Sequence, residues 1–187
     1  MITITHPIHN YAVTTYGILP DQTDTYTVPV DKASIPTDGN YLSGVKLHAL
    51  LTRIRDHDPL SKEEKALLPW LNSMRNGLRE KGVSFIAPEV TLYAPAEERL
   101  TRCDLLLFGG LAKLGVCELK VTNLPEQPLV EHFDQLAAYC DRVSRNFHSK
   151  RVWGVLAYAS IADCRIRMFS YLDLTKRAFV AASTMAA

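Results

Sequence analysis

Two apolar segments that carry charged residues constrain this chain most. They are Arg102–Phe108 (RCDLLLF) and Gly115–Val121 (GVCELKV), separated by a short turn. Each has the length and composition of a buried strand, yet together they contain Asp104, Glu118 and Lys120. Burying a carboxylate in a strand costs several kcal/mol unless something compensates its charge. The charges therefore predict a functional site rather than a packing pattern.

The spacing of these charges brings them together if the two segments pair. Side chains two positions apart on a strand point to the same face, so Glu118 and Lys120 share a face. Asp104 joins them there if the segments form a hairpin. Two carboxylates and an ammonium group at a sheet edge suit a hard divalent cation. The pattern predicts a metal-dependent catalytic site, and a strand-edge salt bridge is the alternative.

Length and composition predict one domain. With 187 residues and 47% hydrophobic content, the chain can bury one sizeable core. We assign residues 1–187 to a single domain, with residues 1–40 as an N-terminal extension of unknown role. This extension is rich in Thr, Pro and Asp and has short alternating pieces such as Tyr26–Val30, which predicts loops and an edge strand within it.

Charge is unevenly distributed although the net charge is only +1. Between residues 142 and 177, eight basic residues stand against two acidic ones. A basic half beside a metal site fits a polyanionic substrate, and a solvated basic face is the alternative.

Location and cysteine chemistry follow from what the sequence does not contain. No apolar run reaches transmembrane length, and the first residues lack the layout of a signal peptide. We therefore expect a cytoplasmic protein without a membrane partner. The cysteines lack zinc-site spacing and are expected to be buried reduced thiols. They are Cys103, Cys117, Cys140 and Cys164.

Hydrophobic periodicity predicts an α/β fold, with helices around one central mixed sheet. The predicted helices are Leu42–His57, Ser61–Gly82 with a kink or break at Pro69, and Glu131–Phe147. The predicted strands are Val83–Tyr93, interrupted at Pro88, the two charged segments, Val152–Tyr158 and Cys164–Tyr171. A capping box of Ser61 and Glu64 marks the start of the second helix.

The order Asp104, thirteen residues, then Glu118-x-Lys120 resembles the PD-(D/E)XK nuclease superfamily. In that superfamily a β-hairpin between flanking helices carries an Asp and then Glu-x-Lys. Such a triplet alone is a weak signal, because it arises often by chance. Here both parts fall in apolar strands. The resemblance implies a restriction-endonuclease-like core with a central mixed sheet flanked by helices.

Two further motifs narrow the resemblance. The sequence QLAAY at Gln135–Tyr139 resembles the Q-x-x-x-Y motif in the helix after the lysine strand of RecB-type nucleases, lambda exonuclease and the CRISPR adaptation nucleases. Gly44-x-x-x-His48 resembles the upstream helix whose histidine reaches the metal in RecB-type members. The three motifs span residues 44–139 in the family's order. The chain is thus similar to the RecB-type and lambda-exonuclease-like branch.

The resemblance implies a set of metal ligands. Asp104 and Glu118 would bind Mg²⁺ or Mn²⁺, with the backbone carbonyl of Leu119 as a further ligand. His48 would complete the shell, and its softer imidazole would favour Mn²⁺ over Mg²⁺. Glu89 is a candidate additional acidic ligand because it begins a strand next to the hairpin.

Other matched residues would act on the substrate. Lys120 would orient or deprotonate the attacking water and offset charge on the phosphate. Gln135 and Tyr139 lie one helical turn apart, where they would contact a phosphate or the lysine. A role in the core or in helix capping is the alternative for this pair, as ordinary packing is for His48.

Glu64 and Glu80, on the second predicted helix, are alternatives to Glu89 as the extra acid.

The chain also departs from the family pattern. Cys103 stands where the family often has proline, and the cysteine cluster that binds iron–sulfur in some members is missing. We therefore expect no iron–sulfur cluster.

The sequence supports one leading function and two alternatives. The leading hypothesis is a metal-dependent nuclease that hydrolyses DNA, with an exonuclease favoured because many Q-x-x-x-Y relatives are exonucleases. A catalytically silent nuclease fold that binds nucleic acid or protein is the second hypothesis. An RNA endonuclease on the same core is the third. DNA is favoured over RNA as the partner, and oligomerisation or a helicase-type partner is left open.

Overall fold

The sheet and its helices are described by a computed structural model that covers residues 3–5, 12–14, 20–31, 43–94, 99–172 and 174. The strands are β1 (Thr3–Thr5), β2 (Ala12–Thr14), β3 (Gln22–Thr27), β4 (Val83–Ala94), β5 (Arg99–Gly109), β6 (Leu114–Val121), β7 (Val152–Ser160) and β8 (Arg165–Tyr171). The helices are α1 (Gly44–Asp56), α2 (Lys62–Ala66), α3 (Leu68–Glu80) and α4 (Val130–Asn146). From α1 onward the order is the predicted one: helices, three strands, a helix and two strands.

Six strands form one mixed sheet in the order β3-β8-β7-β6-β5-β4. Neighbouring strands are antiparallel except β6 and β7, which are parallel. A parallel pair requires a long crossover, and α4 supplies it. The predicted mixed α/β fold with a central sheet flanked by helices is confirmed. β1 and β2 pair separately as a two-stranded antiparallel sheet.

The helices cover both faces of the sheet. Leu47 and Leu50 of α1 pack with Trp70 of α3 against one face. Leu136 and Val143 of α4 pack against the other face. Side chains alternate along a strand, so each of the strands β4 to β8 contributes to both clusters.

Strand β6 shows how this alternation positions charged residues. Cys117 and Leu119 belong to the cluster under α1 and α3, whereas Val116 belongs to the cluster under α4. Glu118 and Lys120 alternate with Cys117 and Leu119, so they face the α4 side, toward the start of that helix.

A tight turn fixes the hairpin of β5 and β6. Gly109 and Gly110 have φ angles of 92° and 86°, a region that favours glycine. A Cβ atom on Gly110 would lie 2.4 Å from the Trp153 ring, and one on Gly115 would lie 2.3 Å from it. Trp153 also donates its indole N–H to the Gly109 carbonyl at 3.1 Å. The indole therefore packs directly on the hairpin that carries the charged residues.

The helix boundaries match the sequence signals closely. Ser61 and Glu64 form the predicted capping box, with each side chain bonded to the other residue's backbone N–H. The predicted kink or break at Pro69 is a break: α2 ends at Ala66, and Pro69 lies in the first turn of α3. Proline is tolerated there because the first turn has no N–H partner to lose.

One strand prediction is confirmed, and another was wrong in its continuity. The edge strand expected within residues 1–40 is Gln22–Thr27, which pairs with β8 at one edge of the sheet. β4 continues through Pro88, which pairs with Leu105. The proline is accommodated because β4 is the edge strand of the sheet and needs hydrogen bonds on one side alone.

Among the helices that the structure describes, none is both long and apolar enough to cross a bilayer.

Candidate active site

The site lies at a fork in the sheet. β5 and β6 pair from Phe108 and Leu114 as far as Leu105 and Cys117. Beyond that point β5 continues beside β4, while β6 continues beside β7. A cavity of about 350 Å³ occupies the fork between α1 and α4. Its lining includes all six side chains predicted from the three motifs, namely His48, Asp104, Glu118, Lys120, Gln135 and Tyr139.

Asp104 is fixed at the point where the fork opens. Its Oδ2 accepts a hydrogen bond of 2.7 Å from the backbone N–H of Leu119. The carboxylate thereby replaces a backbone acceptor where the two strands part. Asp104 is buried, and its other oxygen faces His48. Leu119 thus enters the site through its N–H, and the metal-ligand role of its carbonyl stays a prediction.

Glu89 reaches the cavity through an unusual backbone conformation. Its φ of 51° lies in the left-handed region, which costs a residue other than glycine roughly 1–3 kcal/mol. Pro88 pairs with Leu105 and Val90 with Cys103, so Glu89 falls opposite Asp104. In a regular strand Ala87 and Val90 would point to opposite faces, because they are three positions apart. Here both pack toward α4. The distortion turns the buried Glu89 carboxylate inward beside Asp104.

His48 completes a compact group with these two acids. Its Nδ1 lies 2.9 Å from Glu89 Oε1 and 3.4 Å from Asp104 Oδ1. One ligand atom from each of the three side chains lies within 4.8 Å of the others. Helix α1 holds the histidine there because Leu47 and Leu51, its neighbours on the helix, are buried against the sheet. Imidazole nitrogen with two carboxylates is a donor set that suits a divalent metal ion.

Glu118 and Lys120 form the inner wall of the cavity together with α4. Lys120 Nζ donates to Glu118 Oε1 and to Gln135 Oε1, both at 2.8 Å. Gln135 Nε2 in turn donates to the Tyr139 hydroxyl at 3.3 Å. The lysine is thus held by two acceptors, and the Q-x-x-x-Y pair forms a continuous hydrogen-bonded chain with it. The structure therefore brings Gln135 to the lysine, as the motif predicts.

The second oxygen of Glu118 is left without a partner. Glu118 is 1% exposed, and Oε2 is buried without a hydrogen bond to any described residue. Burial, followed by the negative charge of Asp104, raises the pKa of Glu118 to about 7. Burial likewise raises the pKa of Asp104, although His48, the Leu119 N–H and Lys120 oppose the shift. Lys120 and His48 therefore compensate these carboxylates only in part, and a bound cation would supply further positive charge.

The two alternative acids lie outside the cavity. Glu64 is held by the Ser61 cap and by Arg53, whose Nε lies 2.6 Å from its Oε1. Glu80 hydrogen-bonds Tyr26, whose pKa is raised by burial first and then by the negative charges of Asp24 and Glu80. Neither lines the cavity, so Glu89 is the extra acid that the fold brings to the site.

Arg102 also lines the cavity, although it was not among the predicted site residues. Its Nη1 lies 3.5 Å from Glu89 Oε2, and its side chain is 52% exposed at the cavity mouth. A signal was available, because Arg102 stands two residues before Asp104 and so shares its face on a strand.

Comparisons with known proteins identify no family. No family model matches the chain, and no curated protein sequence matches it. Among solved structures, the crystal structure of SSO0001 is similar, at 20% sequence identity. That match covers 82% of this chain and 79% of the other, with a TM-score of 0.32.

Proposed function

We propose that this chain is a metal-dependent nuclease of the PD-(D/E)XK type that hydrolyses phosphodiester bonds. One observation carries the proposal: three acids, a histidine and a lysine meet in one cavity at the fork of the sheet. They come from α1, β4, β5 and β6, so no local packing requirement explains their convergence. Perturbed carboxylates in a cleft are typical of functional sites.

The donor set fits a divalent cation. His48, Glu89 and Asp104 offer ligand atoms close to one another, and Glu118 offers a buried oxygen without a hydrogen-bond partner in the described part of the chain. These four residues would hold the ion. Such an ion lowers the pKa of a bound water and stabilises charge on the transferring phosphate. The imidazole supports Mn²⁺ over Mg²⁺.

Lys120 is the residue that would act on the attacking water and the phosphate. Its bonds to Glu118 and Gln135 keep the ammonium group directed along the inner wall of the cavity. A fixed positive charge in a partly buried position, as Lys120 has, stabilises developing negative charge more strongly than it would in solvent. Tyr139 holds Gln135, so the Q-x-x-x-Y pair would orient the lysine rather than take part in the chemistry.

The first test is cleavage of end-labelled DNA, single- and double-stranded, and of the same sequence as RNA. Each substrate would be incubated with Mn²⁺, Mg²⁺ or EDTA. We expect cleavage with Mn²⁺ and none with EDTA. Lys120→Ala and the isosteric Glu118→Gln should each lower the rate by about 10²–10⁴-fold. Single-nucleotide products would identify an exonuclease, and internal fragments an endonuclease.

Arg145→Gln is the matched control, because Arg145 pairs with Asp141 on the exposed side of α4 and does not line the cavity. It should cleave at the wild-type rate. Circular dichroism would establish that the variants are folded. Cleavage that survives both Lys120→Ala and Glu118→Gln would contradict the proposal, as would inactivity of the wild type on every substrate.

We also propose a cytoplasmic location. All four cysteines are buried and free, and burial raises the thiol pKa of Cys103, Cys117 and Cys140. Unpaired thiols in the core suit a reducing compartment.

A further inference from the structure

Beyond the fork, β4 and β5 form a two-stranded arm with one buried and one open face. The arm comprises residues 90–94 of β4 paired with residues 99–103 of β5. Leu92 and Cys103 are buried on the face toward α4. Tyr93 and Leu100 are paired on the opposite face, and so are Thr91 and Arg102.

The open face carries three kinds of side chain in a fixed order. At the fork is the acidic pair of Glu89 and Asp104, which lines the cavity. One step along the arm is Arg102, whose guanidinium lies 3.5 Å from Glu89 at the cavity mouth. One step further is an aromatic and aliphatic pair. Steps of two residues follow one face of a strand, so the three sets form a continuous strip.

Tyr93 and Leu100 are an exposed pair on the open face of the arm. Tyr93 is 49% exposed and Leu100 is 68% exposed, although they stand directly opposite each other. The backbone beneath Tyr93 is nevertheless held firmly. The Asn146 side chain of α4 accepts a hydrogen bond from the Tyr93 N–H at 3.2 Å and donates to its carbonyl at 2.8 Å. The tyrosine is therefore presented to solvent on an anchored backbone.

From these observations we infer that the open face of the arm binds single-stranded nucleic acid next to the bond that is cut. Arg102 binds a phosphate adjoining the cavity, and Tyr93 with Leu100 stacks on an unpaired base. The inference rests on the proposed nuclease function and specifies the substrate class of the same site.

Single-stranded substrate is favoured by the combination of groups. A guanidinium group binds phosphate oxygens in any nucleic acid. Stacking on an exposed aromatic ring, in contrast, requires the open face of an unpaired base, because a duplex encloses its bases. Arg102 also offsets the charge of Glu89, which would otherwise repel a phosphate entering the cavity.

The test measures binding separately from cleavage. Fluorescence anisotropy would follow a labelled single strand and its duplex in Mn²⁺, in a Lys120→Ala background that prevents turnover. Tyr93→Ser and Leu100→Ser should each weaken single-strand binding by about ten-fold and leave duplex binding unchanged. Arg102→Gln should weaken binding and reduce the slope of log affinity against log salt by about 1.

Phe85→Ser is the matched control, because Phe85 is an aromatic residue on β4 outside the arm and is 60% exposed. It should bind as the parent does. Unchanged affinity in both Tyr93→Ser and Leu100→Ser, or equal losses for single strand and duplex, would overturn the inference.

Cleavage by the otherwise wild-type protein separates the two proposals. If cleavage depends on Lys120 but binding does not depend on the arm, the inference fails while the proposed function stands. If the arm binds single strands but no substrate is cut with any metal, the nuclease proposal fails and the binding strip stands.

Discussion

At the scale of a single residue, Glu118 is a carboxylate that the fold buries where its ionised form is unfavourable. It is held by Lys120 through one oxygen, while the other oxygen is buried without a described partner. Its pKa is raised above the ordinary value of 4.5 to about 7, first by burial and then by Asp104. Without a bound cation, the protonated acid is therefore favoured only below about pH 7.

This preference predicts how stability depends on pH. A raised pKa in the folded state adds stability that is fully present below pH 4.5 and is lost as pH rises through about 7. In EDTA above that pH, Glu118→Gln should be more stable than wild type by at least about 1 kcal/mol, or about 2–4 °C in Tm. Thermal melts across this pH range would measure it.

Glu131→Gln serves as the control for the loss of a carboxylate, because Glu131 is exposed on α4. It should follow the wild-type curve. A Glu118→Gln variant that is less stable than wild type above neutral pH would show that the ionised acid is well compensated without a metal ion.

At the scale of the element, the β4–β5 arm depends on α4 for its order. Asn146 forms two hydrogen bonds to the backbone of Tyr93, at a point where β5 no longer pairs with β6. An arm of two strands is marginally stable without such support.

Asn146→Ala should therefore loosen the arm. Loss of two hydrogen bonds should cost about 1–3 kcal/mol locally, since each contributes roughly 0.5–1.5 kcal/mol. Amide hydrogen exchange should accelerate in residues 90–94 and 99–103, while β7 keeps its protection. Asn123→Ala, a change of the same kind in the connection after β6, is the control. Unchanged hydrogen exchange in the arm would show that cross-strand pairing is sufficient to keep the arm ordered.

Sequence signals predicted the helices and strands more fully than they predicted the geometry of the site. Leu47, Leu50 and Leu51 mark α1 by their spacing, and Ser61 marks α2 by its capping chemistry. These signals are local, so each is complete in the sequence itself.

The shape of the cavity depends on tertiary structure that no local signal encodes. Nothing in the sequence around Glu89 indicates a left-handed residue, because glycine is the usual choice there. The conformation follows from the pairing of β4 with β5. Arg102 was not predicted for the same reason, because its place in the site depends on lying beside Glu89 across the two strands.

At the scale of the whole molecule, the site joins the two halves of the fold. His48 lies on a helix against one face of the sheet, and Gln135 on the helix against the other. A ligand bound in the fork would contact side chains that belong to both layers. Binding therefore acts on the stability of the entire domain.

Mn²⁺ should accordingly stabilise the folded protein. At a free concentration of 100 times its Kd, the ion should add about 2.7 kcal/mol to the free energy of unfolding. Thermal melts with increasing Mn²⁺, followed by EDTA, would measure the effect and its reversal. Asp104→Asn should abolish most of the gain, whereas Asp141→Asn, on the exposed side of α4, should keep it. An unchanged Tm at millimolar Mn²⁺ would show that the cavity is not an ion site.

The distorted middle of β4 has a consequence for contacts between molecules. An edge strand with a regular row of free N–H and C=O groups is a template on which another chain can add a strand. Pro88 offers no N–H, the turn at Glu89 breaks the regular row, and Arg55 Nη1 already occupies the Glu89 carbonyl at 3.3 Å. The irregularity that brings an acid into the cavity thus also protects this edge of the sheet against aggregation.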